Sequence, residues 1–405
     1  MATSRDTGAT HKPSKPYHSL YPFLPPNTQI LSKDVGPCTA LDRWKITLTS
    51  LFFVGGLVWI PTLYVHLYRK YKKAKQEGDE KKKRLYWSLL ASLVVMGVWA
   101  PHRKVKLGKW LKVKEWSVWD SWLRFFAFQV VTDASSSTTY SPSTRKPFDI
   151  TNDPAILAVS PHGIFPFSLA MVALPSAASK AFGHMRLIVA SATEFFPLIR
   201  TLLSWLESVD ASKSAVHRAL SSTSPTATTT MLGTPMKRLG LCPGGIGEMF
   251  EGYPKPNRLP NDECLILKHR KGFVKVALMH QLPVVPIYCF GGSKMFRRVQ
   301  LPAVVERISN VLRISICLFF GVWGLPVPFR QRLLYAVGKP IYPPTLESLG
   351  AGGDSGGAGA MLDESNEEFQ RQVNIMHEQF CSEMKNVFDR YKASYGWDHK
   401  ELRIV

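Results

Sequence analysis

Ile156-Leu157-Ala158-Val159-Ser160-Pro161-His162-Gly163 is an apolar run that ends in a single imidazole bracketed by Pro and Gly. Four apolar residues bounded by turn formers read as a buried strand. Pro161 fixes φ and disfavours helix at Ser160, and Gly163 permits close approach of another backbone or a ligand. His162 is thereby held where strand passes into loop, at the edge of a cleft. A neutral imidazole in such a place suits general-base work on a hydroxyl.

Three further stretches carry chemistry. Cys242-Pro243-Gly244-Gly245-Ile246-Gly247-Glu248-Met249-Phe250 runs from a strand into a Gly-rich turn and a helical start. The backbone amides of Gly244 and Gly245 are candidate donors to an oxyanion. No Lys-Ser/Thr pair follows the glycines, so this is not a P-loop. Glu248 can orient His162, bind an acceptor hydroxyl or cap the helix, and Glu194 is a further candidate orienter. In Lys268-His269-Arg270-Lys271-Gly272-Phe273-Val274-Lys275, cations precede a predicted helix. Arg270 and Lys271 suit phosphate groups; a solvated basic turn is the plainer alternative. Pro283 to Gly291 reads as a buried strand ending in Gly. There is no GxSxG elbow for a serine nucleophile. The cysteines (Cys38, Cys242, Cys264, Cys289, Cys317, Cys381) are scattered without zinc spacing, so no metal site and no disulfide framework is expected, and reduced thiols facing the cytosol are the default.

The elements that must position these residues alternate. Strands are predicted at Ile156–Val159, Arg186–Ala190, Arg238–Cys242, Val284–Phe290 and Leu334–Val337. Helices are predicted at Phe167–Ala178, Phe196–Glu207, Ser212–Leu220, Gly272–His280 and Phe369–Ser394. That order argues for an α/β layer structure over residues 148–405, with a flexible Gly-rich insertion at 350–360.

The preceding residues have another character. The 405-residue chain carries a formal charge of +21, and residues 1–150 hold 24 Lys and Arg against 10 Asp and Glu. A basic excess beside apolar segments points to an anionic membrane surface, and no nucleic-acid module is visible. Residues 1–40 are expected to be a disordered tail. Ile46 to Tyr68 contains no Asp, Glu, Lys or Arg and would span roughly 34 Å as a helix, enough for a bilayer core. Leu85 to Ala100 is a shorter apolar run. Together they predict a membrane hairpin of one or two helices within an anchoring segment, 41–131. The connector Arg69–Arg84 carries nine Lys and Arg and residues 103–114 carry six, so positive-inside counting does not choose a topology. Lysines alternate with Trp, Leu and Phe from Lys104 to Val131, which reads as an interfacial amphipathic helix or as a core-facing aromatic one. Residues 132–147 read as a linker.

These motifs, in this order, resemble the type 2 diacylglycerol acyltransferase family, which includes monoacylglycerol and wax-alcohol acyltransferases. The resemblance rests on SPHG at 160–163, PGGIGEMF at 243–250, RKGFVKVAL at 270–278 and VPIYCFG at 285–291. Gly324-Leu325-Pro326-Val327-Pro328, Val337-Gly338-Lys339-Pro340-Ile341 and the tail Tyr391-Lys392-Ala393-Ser394-Tyr395-Gly396 extend it. It implies a glycerolipid-acyltransferase-like mixed sheet flanked by helices. It also implies acyl transfer from acyl-CoA, as co-substrate, to the free hydroxyl of diacylglycerol, giving triacylglycerol. The setting would be the endoplasmic reticulum membrane or a lipid-droplet surface. Membrane lipids and acyl-CoA would be the partners, with no bound cofactor and with a homo-oligomer left open. By the resemblance His162 is the base, being the second His of the family's His-Pro-His-Gly motif, and Arg270 and Lys271 would hold CoA phosphates. The first motif His is Ser160 here, and the acid that wider acyltransferases place five residues after the His is Phe167. Monoacylglycerol, a wax alcohol or a lysophospholipid are alternative acceptors, and a non-catalytic lipid-droplet or membrane-binding relative is the reading from another class.

Overall fold

A computed structural model of the protein describes residues 24–98, 110–134, 146–195, 197–221, 237–250, 262–299, 302, 304, 318–344 and 364–405. The expected insertion at 350–360 and most of the expected linker lie outside them.

The strands are β1 (Thr28–Ile30), β2 (Gln129–Asp133), β3 (Ala155–Ser160), β4 (Arg186–Val189), β5 (Val209–Asp210), β6 (Arg238–Leu241), β7 (Asp262–Leu265), β8 (Val284–Phe290), β9 (Arg297–Arg298), β10 (Phe319–Phe320), β11 (Leu334–Val337) and β12 (Glu401–Ile404). Eight of them form one sheet in the order β1-β2-β11-β8-β3-β6-β4-β5. The pairs around β3 are parallel, with Ile156 opposite Leu239 on β6 and Val284 on β8. β11 runs antiparallel to β8, and β1 antiparallel to β2, so the sheet is mixed, as expected.

Both faces of the central strands are covered, which explains their unbroken apolar sequence. Successive side chains point to opposite faces. Leu157 and Val159 therefore join a core with Trp122, Phe167 and Phe182. Ile156 and Ala158 join a second core with Val216, Phe273 and Phe380. The helices are α1 (Ala40–Phe53), α2 (Gly56–Gln76), α3 (Glu80–Val98), α4 (Val118–Phe125), α5 (Phe167–Ala173), α6 (Ser176–Phe182), α7 (Pro197–Trp205), α8 (Lys213–Leu220), α9 (Gly272–Met279) and α10 (Glu367–Tyr395). Helices α1, α4, α5 and α6 contribute to the first core, and α8, α9 and α10 to the second.

Four expectations need correction. The single helix expected over Phe167–Ala178 is two, because Pro175 lacks the N–H that would continue α5. The helix expected over 104–131 is instead a short turn at Leu111–Glu115, then α4, then strand β2. Its Trp119, Trp122, Phe125, Phe126 and Phe128 are buried, and only Trp110 and Trp116 remain substantially exposed; residues 104–109 lie outside the described part. The expected tail contains strand β1. The apolar run from Ile46 is broken by a 53° bend between α1 and α2. At the bend Gly55 N–H bonds to Ser50 C=O, an i→i+5 bond that with the Gly55-Gly56 pair accounts for the kink. Among the described residues no single helix is long and apolar enough to cross a membrane, but the bent pair passes together.

Helix α1 belongs to the domain it precedes. Asp42, Ile46 and Ser50 form its buried stripe, while Leu41, Trp44, Leu48 and Phe52 form an exposed one. Asp42 accepts hydrogen bonds from Arg124 Nε at 3.0 Å and Nη2 at 2.7 Å, a two-point pairing that fixes orientation. Trp122 Nε1 donates to Thr49 Oγ1 at 3.1 Å. Replacing Arg124 with Met strands the Asp42 carboxylate. We expect a loss of about 2 kcal/mol, below the full cost of breaking a buried pair because Arg124 is 28% exposed. Thermal unfolding in detergent measures it, and Arg124→Met combined with Asp42→Asn should recover most of the loss.

Candidate active site

His162 follows the carboxyl end of β3, between the Gly-rich turn after β6 and the loop after β8. Helix α5 holds the loop from one side: Ser168 Oγ donates to Pro161 C=O at 2.7 Å, and Tyr335 OH on β11 donates to Ser168 C=O at 2.7 Å. Gly163 has φ +67°, and a Cβ there would lie 2.6 Å from Gly292 C=O. Only glycine satisfies both the conformation and the approach. The loops after β3 and β8, two stretches singled out separately in the sequence, thus pack backbone against backbone.

Two hydrogen bonds set the histidine. Its Nδ1 lies 2.8 Å from Gly163 C=O. A carbonyl only accepts, so Nδ1 carries the proton and Nε2 keeps its lone pair. Its main-chain N–H donates to Glu248 Oε2 at 2.6 Å. The imidazole presents part of its surface to a cavity but has protein around it, and this burial lowers its pKa below the usual histidine value, more than the Gly163 bond raises it. The imidazole is therefore neutral at physiological pH.

The expected site residues take different places. Glu248 is 3% exposed and is not among the residues lining the cavity. It positions the His162 backbone and orients no imidazole. Gly244 makes room for it, since a Cβ there would lie 2.0 Å from Glu248 Oε1. A carboxylate against Gly244 repels an oxyanion, and Gly245 N–H already donates to Cys242 C=O at 3.2 Å. Of the two amides expected to face an oxyanion, that of Gly245 is thus engaged within the turn. Glu194 falls in the turn Ser191–Phe195, and its side chain lies outside the described residues. Ser160 is fully buried at the end of β3, away from the cavity lining. Phe167, at the position of the missing acid, stacks on Trp122 with centroids 5.0 Å apart. The orienting role that an acid would play falls to the Gly163 carbonyl. The Cys242 thiol is pushed well above its usual pKa by burial, the state of an inert thiol.

The cavity has a volume of about 1010 Å³ and passes the carboxyl ends of β3 and β6, where open α/β sheets place ligands. Phe53, Val54, Leu57, Trp119 and Trp122 line it from elements on one face of the sheet. Lys213 and Lys275 line it from helices on the other, and Arg270 and Lys271 from the turn that leads into α9. Arg270 packs beside Gly247, where a Cβ would be 3.5 Å from Nη2, and Lys271 Nζ donates to Asn374 Oδ1 at 2.7 Å. His162, Arg270 and Lys271 all line this one cavity, and Gly163 makes the close backbone approach expected of it; Ser168, Tyr335 and the α1 residues were not anticipated.

Glu248→Gln keeps an acceptor for the His162 N–H, whereas Glu248→Ala removes it. We expect the Gln form to retain most function and the Ala form to lose roughly tenfold or more, about the worth of one charge-assisted hydrogen bond. The acid limb of the pH–rate profile should stay in place for Glu248→Gln, because Glu248 does not touch the imidazole. A displaced limb would mean that the carboxylate reaches the ring.

Comparison with known proteins places the chain in a family. The chain is 29% identical to diacylglycerol O-acyltransferase 2 of Xenopus laevis over 158 residues, 36% of this chain and 38% of that protein. It is 26% identical to the Homo sapiens diacylglycerol O-acyltransferase 2 over 175 residues, 40% and 38% of the two chains. It is also 26% identical to 2-acylglycerol O-acyltransferase 1 of Bos taurus over 173 residues, 40% and 44%. The aligned stretches span less than half the length of each relative. No solved structure matches. The family model described as diacylglycerol acyltransferase matches residues 84–348, more than half of the chain and the stretches that hold His162, Glu248, Arg270 and Lys271, and the chain belongs to that family.

Proposed function

We propose that this protein transfers a fatty acyl group from acyl-CoA to the free hydroxyl of diacylglycerol, forming triacylglycerol, with His162 as general base. The observation that carries the proposal is the His162 tautomer: Nδ1–H bonded to Gly163 C=O, on a ring that faces an apolar cavity with cations along it. Nε2 takes the proton of the acceptor hydroxyl as the oxygen attacks the thioester carbonyl. The tetrahedral intermediate collapses, the C–S bond breaks and the thiol of CoA leaves with a proton. Apolar walls suit acyl chains and exclude water that would hydrolyse the thioester. Arg270 and Lys271 suit the phosphates of CoA.

The setting proposed is a membrane surface. Trp44, Leu48, Phe52 and Val58 on the bent pair are each at least half exposed, and a contiguous apolar face of that kind is expected to be covered by lipid. The same pair contributes Phe53, Val54 and Leu57 to the cavity, so a lipid acceptor has an apolar path from the bilayer to His162. The site is expected on the membrane of the endoplasmic reticulum or on a lipid droplet.

The test is acyl transfer by membranes containing this chain, with labelled acyl-CoA and a panel of diacylglycerol, monoacylglycerol, fatty alcohol and lysophospholipid. Labelled triacylglycerol is the expected product. His162→Ala should lower turnover by about 10²–10⁴-fold, the usual worth of a general base, while still reaching the membrane. Product from another acceptor would reassign the substrate. No product from any acceptor in folded, membrane-bound protein would overturn the enzymatic reading.

The pH dependence follows from the lowered His162 pKa. The basic form is active, so activity should hold at neutral pH and fall only as pH drops through a value below the ordinary histidine pKa of about 6.5. A limb above that value would contradict the buried, neutral base.

A further inference from the structure

The cationic side of the cavity holds charges that the proposed chemistry leaves unused. Lys213 opens α8. Lys275 lies one turn beyond Lys271 on α9, its N–H bonded to Lys271 C=O at 3.0 Å, so the two lysines share a helix face. Lys213 and Lys275 converge on a single carboxylate: Lys213 Nζ is 2.5 Å from Glu364 Oε1, and Lys275 Nζ is 3.9 Å from Glu364 Oε2. All three line the cavity that contains His162.

Glu364 is braced from behind. Its C=O accepts a bond from Gln370 Nε2 at 2.5 Å. Two residues on, Asn366 caps α10, its Oδ1 accepting from the N–H groups of Glu368 and Phe369. The carboxylate is thus held between two ammonium groups by the start of a long, well-anchored helix. Its pairing adds little to stability, since Lys213 is 62% exposed and such pairs are screened. A phosphate offers more charge than a carboxylate, about −1.5 to −2 for a monoester at neutral pH. It also offers more acceptor oxygens to two lysines.

We infer that Lys213 and Lys275 form a phosphate subsite for the nucleotide end of acyl-CoA, and that Glu364 is its resident placeholder, displaced when the phosphates arrive. This rests on the acyl-CoA reading above. Lipid phosphate is the other source of the same chemistry. Position favours the nucleotide: α8 and α9 pack on the opposite face of the sheet from α1 and α4, whose residues supply the apolar wall. A thioester with its carbonyl at His162 has its acyl chain toward that wall and its phosphates toward the lysines.

The experiment compares an acyl-CoA with the same acyl chain on pantetheine, which lacks every phosphate, using the full-length protein in membranes. The quantity read is the ratio of kcat/KM for the two thioesters. Lys213→Met and Lys275→Met should each lower the ratio about tenfold, the loss of one charged contact. Glu364→Gln should act in the opposite sense, lowering KM for acyl-CoA about threefold, the scale of an exposed ion pair. Opposite signs cannot arise from general loss of folding. Binding of adenosine 3′,5′-bisphosphate, measured without turnover, should weaken in the lysine variants and tighten in Glu364→Gln. An unchanged ratio with unchanged nucleotide binding overturns the subsite. If the variants instead lose a response to phosphatidate-containing vesicles while the ratio holds, the site reads a lipid headgroup and the nucleotide assignment is overturned. Failure of the wild type to use either thioester counts against the acyl-transfer reading, and nucleotide binding then judges the subsite alone.

Discussion

The 2.6 Å hydrogen bond from the His162 main-chain N–H to the Glu248 carboxylate is the constraint on which the site depends. It joins residues 86 positions apart that follow neighbouring parallel strands, β3 and β6. Such strands end side by side, so the loops leaving them start only one strand spacing apart. A buried carboxylate is costly unless its charge is met by strong donors. The His162 amide is a donor that meets this buried carboxylate. The loop after β3 is then fixed at its amide by Glu248, at Pro161 by Ser168 and at Gly163 by the main chain of Gly292. A rigid loop turns a single intraresidue choice, which ring nitrogen carries the proton, into a settled one.

The cavity brings two kinds of surface together because it passes the end of the sheet, reaching elements on both faces. Helices α1 and α4 supply aromatic and aliphatic walls, and α8 and α9 supply cations. An amphipathic thioester matches that division. The low dielectric around His162 has two effects with one origin. It keeps the imidazole unprotonated, and it strengthens every electrostatic interaction made beside it.

Much of this was legible in the residues themselves. β3 and β8 could be read because a strand buried on both faces is a continuous apolar run, and α10 because its apolar period is sustained over many turns. The mixed sheet followed from motif order, and the motifs that carry His162, Arg270 and Lys271 meet at one cavity. Other features leave no residue-type signature. The acceptor that orients His162 is a main-chain carbonyl, which any residue could provide. Glu248 engages a main-chain amide, so its carboxylate, expected to serve the imidazole or a hydroxyl, serves the fold. The Lys and Trp alternation after Lys104 fits an interfacial helix as well as it fits the buried α4 and β2, because lysine stems and aromatic rings suit both settings. The bend in the apolar run was written in Gly55-Gly56, but hydropathy averages over such a pair.

Phe53, Val54 and Leu57 stand at the kink between α1 and α2 and also in the wall of the cavity that holds His162. The anchor and the reaction chamber are therefore the same piece of structure. Cutting the chain after the apolar segments would not release an intact domain; it would remove a side of the cavity and open the His162 site to water. In the membrane setting proposed above, the thickness and packing of lipid around the bent pair would act on the kink angle, and through it on the width of the chamber. The proposed enzyme would then take part of its rate from the lipid phase that receives its product.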